Sequence, residues 1–563
     1  MKVRDIPYRR YTIQEGRAAY AEVERLLDGA KNVEDVLAAR RLYQQMTDDF
    51  DTAASLAYNR FSLDTRDEFY RAEMEYYDEN TPYFEDIHTR YAARMLASPF
   101  RDELKKYVNP RVFSLYDASR RAFDERVTED VQKENAEVTA YSRFMSDLLF
   151  DFDGQKMPLS VLSGKLNHSD PAVRRAAAEA IDRGLAVHAD ELDGFYDRLV
   201  ALRDAIARKM GYASFTELGY WRMDRIDYDA SMVASFRENV LRDVVPVVTR
   251  VKKEVAKRLG VPTITYADNS VYTEGEAPDP ILDKAGMFAA AQTMYDDLDP
   301  EVGAFMRTMQ QNEAFDVDAR EGKWGGGYCT SFRNYRQPFI LANFNGTASD
   351  VDVLTHEFGH ALADYFHYKE GDLELDVGGM ETAECHSMSM EFFAWKYMEP
   401  FFGANTAKYR VEHLLASLSF IPYGVMVDEF QHLVYASPAA TPDERCAMWR
   451  GLEAKYRPWL DYTGLPYLGR GTRWQFQSHI FESPFYYIDY CLAQTVALSF
   501  LIESLDDYQG AFARYLTFVR TGGQKSFADL VKAAGLPSPF EPGALKRLAD
   551  RVAELADRMI AEL

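Results

Sequence analysis

The run Thr355-His356-Glu357-Phe358-Gly359-His360-Ala361-Leu362 constrains this chain more than any other feature. His356 and His360 stand four residues apart, so on a helix both imidazoles leave one face about one turn apart. The surroundings predict that helix. Leu354, Phe358, Ala361, Leu362 and Tyr365 form an apolar stripe that must face a core. Ser349, with Asp352 three residues on, is the expected cap. Two imidazoles at this spacing can reach one zinc ion, and Glu357 then sits beside the open coordination position, where it can accept a proton from water. Two histidines packed in a helix core are the bland alternative. The helical stripe and the strand before it weigh against it.

A catalytic zinc needs three protein ligands. An extended motif with a third histidine would require Gly at 363 and His at 366, but Ala363 and Phe366 stand there. His367 is about 10 Å further along the axis than His360, too far for the same ion. The remaining source is a second helix over Gly378–Phe393, which carries Glu381, Glu384 and Glu391. Glu384 and Glu391 share a face, and Glu381 lies three residues before Glu384. One carboxylate can bind the metal while a neighbour holds a ligand histidine from behind. Spacing alone leaves Glu381 and Glu384 both open as the ligand. His386 points away from the Glu384 face and reads as structural.

The rest of the chain predicts mostly helix. Asn32, Asp170 and Thr441 precede helical patterns as N-caps, with Pro171 and Pro442 in the first turn. A helix break is expected near Gly184, and Ala230–Leu259 reads as one helix. Strand signals are few. The clearest are Tyr328–Phe332 and Phe339–Phe344, which place a small sheet just before the His356 helix. Phe339–Asn345 is the expected edge for pairing with an extended peptide. Further on, Ser483-Pro484 reads as a helix start, which puts Tyr487 and Tyr490 at i and i+3, and Tyr486 and Tyr490 at i and i+4. A phenol near a metal-bound carbonyl can donate to its developing oxyanion. A tyrosine-rich core helix is the plain alternative.

Composition narrows the classes. The 563 residues carry 65 basic and 89 acidic side chains, a net charge of −24, which disfavours nucleic acid as a partner. Four cysteines without a CxxC pair fit a reducing compartment. The N-terminal residues show no apolar signal segment, and no run of 18 apolar residues occurs, so a cytoplasmic protein without a membrane span is expected. A helical region over 1–165 followed by a catalytic region over 166–563 is the expected organisation.

Thr355–Leu362 with Ala383-Glu384 and Ser387, Pro338–Thr347 with Asp350–Thr355, and Gly327–Thr330 together resemble the thimet oligopeptidase family of zinc peptidases, in particular its oligoendopeptidase F and Pz-peptidase-like branch. The similarity runs over about 165–540. The resemblance implies a mainly α, multi-helical ellipsoid with a deep central substrate channel and a small sheet beside the zinc helix. It implies one Zn(2+) per chain on His356, His360 and Glu384, with Glu357 as general base. It implies His479, Tyr487 and Tyr490 near the reacting carbonyl, with Tyr486 able to exchange roles with Tyr487. Tyr486, Gly326, Gly327, Phe339, Ala342, Asn343 and Asn345 are the expected substrate-binding positions, and Glu391 and Glu381 the expected supports behind the ligands. The substrates implied are short unstructured peptides cut internally. A carboxypeptidase or dipeptidyl carboxypeptidase on a related fold is the alternative, and a non-catalytic peptide-binding protein a more distant one.

Overall fold

Short polar side chains set the helix starts. Thr12 and Thr441 close reciprocal capping boxes with Glu15 and Glu444. Asn32 and Asp170 accept from the backbone N–H groups of Asp35 and Ala172, as their sequence positions predict. The computed structural model describes residues 1–372, 374–375 and 377–563. It is mainly helical, with three small sheets among the described residues.

Two apolar clusters form the interior. The smaller draws on helices Ile13–Gly29, Val33–Leu63, Glu68–Ala97 and Arg111–Ala122, with Tyr20, Val36, Tyr91 and Val112 buried in it. It also takes in Leu375, from the far half of the sequence. Beside Leu375, Glu374 is held by Arg40 at 2.5 Å and by the Tyr116 hydroxyl at 2.9 Å, and Arg40 also reaches Asp372 at 2.6 Å. Residues from Phe123 onward join the larger cluster. The smaller cluster thus draws mainly on residues before 120, while Val3, Ile6 and Leu56 already belong to the larger one.

Strands β1 (Leu149–Phe152) and β2 (Gln155–Pro158) form a hairpin, and β3 (Ile264–Thr265) pairs with β7 (Leu460–Asp461). The sheet beside the histidine helix has the order β4 (Phe315–Asp318), β6 (Gln337–Phe344), β5 (Tyr328–Phe332). β6 runs parallel to β4 and antiparallel to β5. Because β6 is central, its ladder groups are spent on both neighbours, which corrects the expectation that Phe339–Asn345 is an edge. The free edge facing the site belongs to β5.

Three further expectations shift for local reasons. Gly184 lies inside the helix Pro171–Val187, where the ring of Phe150 packs on its bare Cα; a Cβ there would meet that ring at 2.3 Å. The segment after Ala230 is two helices, Ala230–Asn239 and Val245–Arg258, joined by a π-turn ahead of Pro246. The His356 helix spans Ala348–Glu370, so Ser349 is inside it rather than its cap. Asp350, in the first turn, instead fixes the approach to the helix, accepting from the backbone N–H groups of Asn345 and Gly346 at 2.9 and 2.7 Å.

The second acidic helix, Met380–Phe393, crosses the His356 helix at Gly359. A Cβ on Gly359 would lie 2.6 Å from the Cα of Ser387 and 2.7 Å from the carbonyl oxygen of His386. Helix Tyr487–Asp506 packs on the other side of Met380–Phe393 and on Thr406–Ala436. Among the described residues it is the one helix long and apolar enough to cross a membrane, and 78% of that stretch is buried in the fold.

The crossing makes Gly359→Ala informative. Both obstructing atoms are backbone, so the helices must part, at a cost of about 1–3 kcal/mol. Gly29→Ala, at a helical position with open space around it, should be neutral or stabilising by up to about 1 kcal/mol. Urea denaturation of the two variants checks the contrast. Equal midpoints would show that the crossing tolerates a methyl group.

Candidate metal centre

His356 and His360 project from one face of their helix with ring centroids 5.0 Å apart. Glu384 reaches between them from the crossing helix. Its Oε2 lies 3.4 Å from His356 Nε2 and 3.7 Å from His360 Nε2. Ligands bound at about 2.0–2.1 Å to one tetrahedral ion stand roughly 3.3–3.4 Å apart. The spacing and the two-imidazole, one-carboxylate donor set therefore suit zinc. Among the described residues these three are the one His/Cys/Asp/Glu group whose ligand atoms converge, all within 4.8 Å of one another. The two histidine side chains keep 22% and 21% of their surface exposed, so the cluster is reachable from solvent.

Electrostatics make the same demand. His356 lies between two carboxylates, with Glu384 on Nε2 and Glu391 Oε1 on Nδ1 at 2.6 Å. Burial disfavours its charged form, but the two carboxylates overcome that and hold its pKa well above the ordinary range. Burial, helped by the charge of His356 and opposed by Glu384, lowers His360 to about 4. Glu384 is pushed up by burial, yet His360, His356 and the hydroxyl of Tyr486 pull it down to about 2. A buried cluster with this much negative charge is what a divalent cation neutralises.

Glu357 is treated differently. Burial raises it to about 7, against the pull of His356. The backbone N–H of Cys329, on edge strand β5, faces its carboxylate. Two neighbouring carboxylates thus differ in proton affinity through their surroundings alone.

The aromatic side of the site comes from residues 477–490. His479 Nδ1 lies 3.1 Å from the side-chain amide nitrogen of Gln477, which donates to it. The ring therefore carries its proton on Nε2, and burial lowers His479 to about 4, keeping it neutral. Tyr486 donates to Glu384 Oε1 at 2.5 Å. Tyr490 packs 4.7 Å from Tyr486, with Glu384 and Glu357 both acting on its hydroxyl. Tyr487 stands edge-on to His479, but its ring lies against Phe420 and Tyr423 and its hydroxyl is near Arg473. Of the two phenols, Tyr486 is the one hydrogen-bonded to Glu384, while Tyr487 faces away from that carboxylate.

The segment ahead of these tyrosines holds a backbone break that sequence reading missed. The helix begins at Tyr487, not at Ser483-Pro484, because Phe485 adopts φ 69°, a left-handed conformation unusual for a bulky residue. Gln431 accepts from its N–H at 2.7 Å, and buried Arg225 donates to its carbonyl. Arg225 also holds Asp489 at 2.9 Å, between the site tyrosines. Nothing local in Ser483-Pro484-Phe485 announces this, since both partners are distant in sequence.

Other expected positions carry different loads. Glu381 is buried one turn before Glu384, under the influence of Asp489 and Arg225, and burial raises it to about 8. It lies outside the group that converges on the metal position and does not support a ligand, which corrects its expected place behind them. Phe339 and Ala342 are buried in β6, and the Ala342 carbonyl accepts from Lys323. Asn343 donates to the carbonyls of Trp324 and Gly326 at 2.9 and 2.8 Å, and Gly327 follows directly into β5. Asn345 Oδ1 accepts from the N–H of Thr347. These residues shape the sheet next to the site with polar groups already engaged.

Comparison with known proteins agrees with this geometry. Residues 3–123 match the peptidase M3 N-terminal domain, and residues 301–550 match peptidase family M3. Oligopeptidase PepF of Bacillus subtilis is 22% identical over 275 residues, or 47% of this chain and 40% of that protein. An oligoendopeptidase F homolog of Borreliella burgdorferi is 24% identical over 225 residues, 38% of this chain and 37% of that one. The alignments thus span about two fifths of these curated relatives. Solved structures are matched end to end. Pz peptidase A with an inhibitor shows a TM-score of 0.95 and 38% identity, covering 99% of each chain. A Bacillus anthracis protein described as an oligoendopeptidase F shows 0.91 and 38%, covering 100% of this chain and 98% of that one.

Two expectations follow from the placement of the carboxylates and phenols. Glu384→Ala should strip bound zinc, while Glu381→Ala should leave metal content unchanged, measured by plasma mass spectrometry after dialysis. The reverse pattern would move the ligand back one turn. Tyr486→Phe should impair peptide turnover more than Tyr487→Phe, since only Tyr486 touches a ligand carboxylate; steady-state kinetics decides between them.

Proposed function

The chain belongs to peptidase family M3 and is a metallo-endopeptidase, and we propose that it cuts short, unstructured peptides at a single zinc ion held by His356, His360 and Glu384. The observation that carries this reading is the convergence of those three donors beside Glu357, with the donors of His479 and Tyr490 close by. A zinc ion bound there supplies Lewis acidity, lowering the pKa of a water and polarising a carbonyl.

The side chains then divide the work. Glu357 accepts the proton of the attacking water and hands it to the leaving amine. Its burial-raised affinity suits both steps, because a base poised near neutrality can take a proton and give it back. His479, neutral and protonated on Nε2, donates to the carbonyl oxygen as negative charge builds, and Tyr490 donates beside it. Tyr486 holds Glu384 in its ligating orientation. The free edge of β5 aligns an extended peptide backbone past Glu357, which favours flexible peptides over folded chains.

Glu357→Gln should keep the fold and the metal while lowering kcat on the order of 100-fold or more, because the amide cannot accept the proton. Zinc content and circular dichroism verify the first part, and turnover of a quenched fluorescent peptide the second. A peptide blocked as its C-terminal amide should still be cut internally. Mass spectrometry showing loss of cleavage on amidation would replace the endopeptidase reading by a carboxypeptidase.

A further inference from the structure

Behind His356 lies a chain of groups reaching away from the metal position. Glu391 bridges two imidazoles: Oε1 accepts from His356 Nδ1 at 2.6 Å, and Oε2 lies 2.8 Å from His413 Nε2. His413, on helix Thr406–Ala436, meets the indole N–H of Trp395 at its other nitrogen, with Trp395 Nε1 to His413 Nδ1 at 2.8 Å. The His413 ring is buried, parallel to Tyr409 at 5.7 Å and tilted on Phe392 at 4.9 Å.

Donor and acceptor identities fix the direction of this chain. An indole N–H only donates, so His413 Nδ1 must present its lone pair. The ring proton then sits on Nε2 and is donated to Glu391 Oε2. Glu391 spends that oxygen on His413 and keeps Oε1 for the Nδ1–H of His356. With Nδ1–H committed to Glu391, Nε2 is the nitrogen of His356 that faces Glu384 and the position shared with His360, and it is the one a cation there would take in place of its proton. Any other state of His413 fails. A proton on Nδ1 would set two N–H groups against each other at 2.8 Å. A lone pair on Nε2 would face a carboxylate. Burial opposes a second proton on this ring while Glu391 and Asp352 invite one, and the Trp395 N–H already occupies the nitrogen that would take it.

We propose that Trp395 and His413 are positioning residues for the metal site: Trp395 selects the Nε2–H form of His413, which orients Glu391 and thereby fixes which nitrogen of His356 is free to ligate. This rests on the assignment of His356, His360 and Glu384 as the metal ligands. The arrangement extends the usual carboxylate–histidine support of a bound metal by two residues, and supports of that kind typically change metal affinity by about 10–100-fold when removed.

Glutamine and methionine are nearly equal in length and volume, but only glutamine offers an N–H toward Glu391. In the full-length protein, zinc affinity measured by chelator competition should fall about 10-fold or more in His413→Met and stay within about threefold of wild type in His413→Gln. Turnover of zinc-saturated His413→Met should show little change in KM. Met binding zinc as wild type does, or Gln and Met weakened alike, would overturn the proposal and leave His413 a packing residue. A second measurement needs no foldable Met variant. In the 15N-histidine spectrum of the wild-type protein, the resonance lost in His413→Gln should be a neutral ring protonated at Nε2, and an Nδ1–H or doubly protonated ring would overturn the proposal. A wild-type protein that binds no zinc would instead sink the ligand assignment on which it rests.

Discussion

The contact between Gly359 and the backbone of His386 and Ser387 sets the separation of two helices, and the site is a consequence of that separation. Histidines four apart on one helix converge on their own. A third ligand from another element can join them only if its backbone comes close, because a glutamate side chain is short and its reach fixed. With a methyl group at 359 the second helix would have to stand off, and Glu384 would lose the 3.4 and 3.7 Å distances to the two Nε2 atoms. The same crossing determines where Glu391 falls, seven residues on, so the support behind His356 is inherited from the same contact.

Within that frame, one residue type performs opposite tasks. Glu384 is held ionised by two imidazoles and a phenol, whereas Glu357 is left with burial as its main influence and retains its proton up to about 7. Glu381, buried with an acidic neighbour, is driven further, to about 8. The environment thus sets three different proton affinities on identical side chains, which suits the proposed division into ligand, base and inert buried acid. A cation held by His356, His360 and Glu384, as proposed, would offset the cost of burying that charge.

The sequence made the local parts legible and left the long-range ones hidden. The His356–His360 spacing, the apolar stripe, the caps at Asn32, Asp170 and Thr441, and the two strands ahead of the site all express short-range rules, and each appears in the structure. The order of the sheet could not be read, because β4 carries a weak signal and its insertion beside β6 is a tertiary event. The choice between Glu381 and Glu384 needed the crossing point, which no periodicity records. The late start of the tyrosine-bearing helix turns on the left-handed Phe485, which Gln431 and Arg225 hold from elsewhere in the chain. His413 passed unnoticed because a lone histidine on an apolar helix has no motif around it.

Between the helices that carry His356 and Glu384, residues 374 and 375 are lodged in the other half of the molecule. Leu375 is part of the smaller apolar core, and Glu374 is tied to Arg40 and Tyr116 there. The N-terminal helices are thus a structural cofactor in all but chemistry: they hold the hairpin on which the ligands are mounted. Severing the chain between its two cores would yield no free-standing catalytic fragment. One piece would carry an orphaned leucine and an unpaired buried carboxylate, and the other a socket with nothing in it.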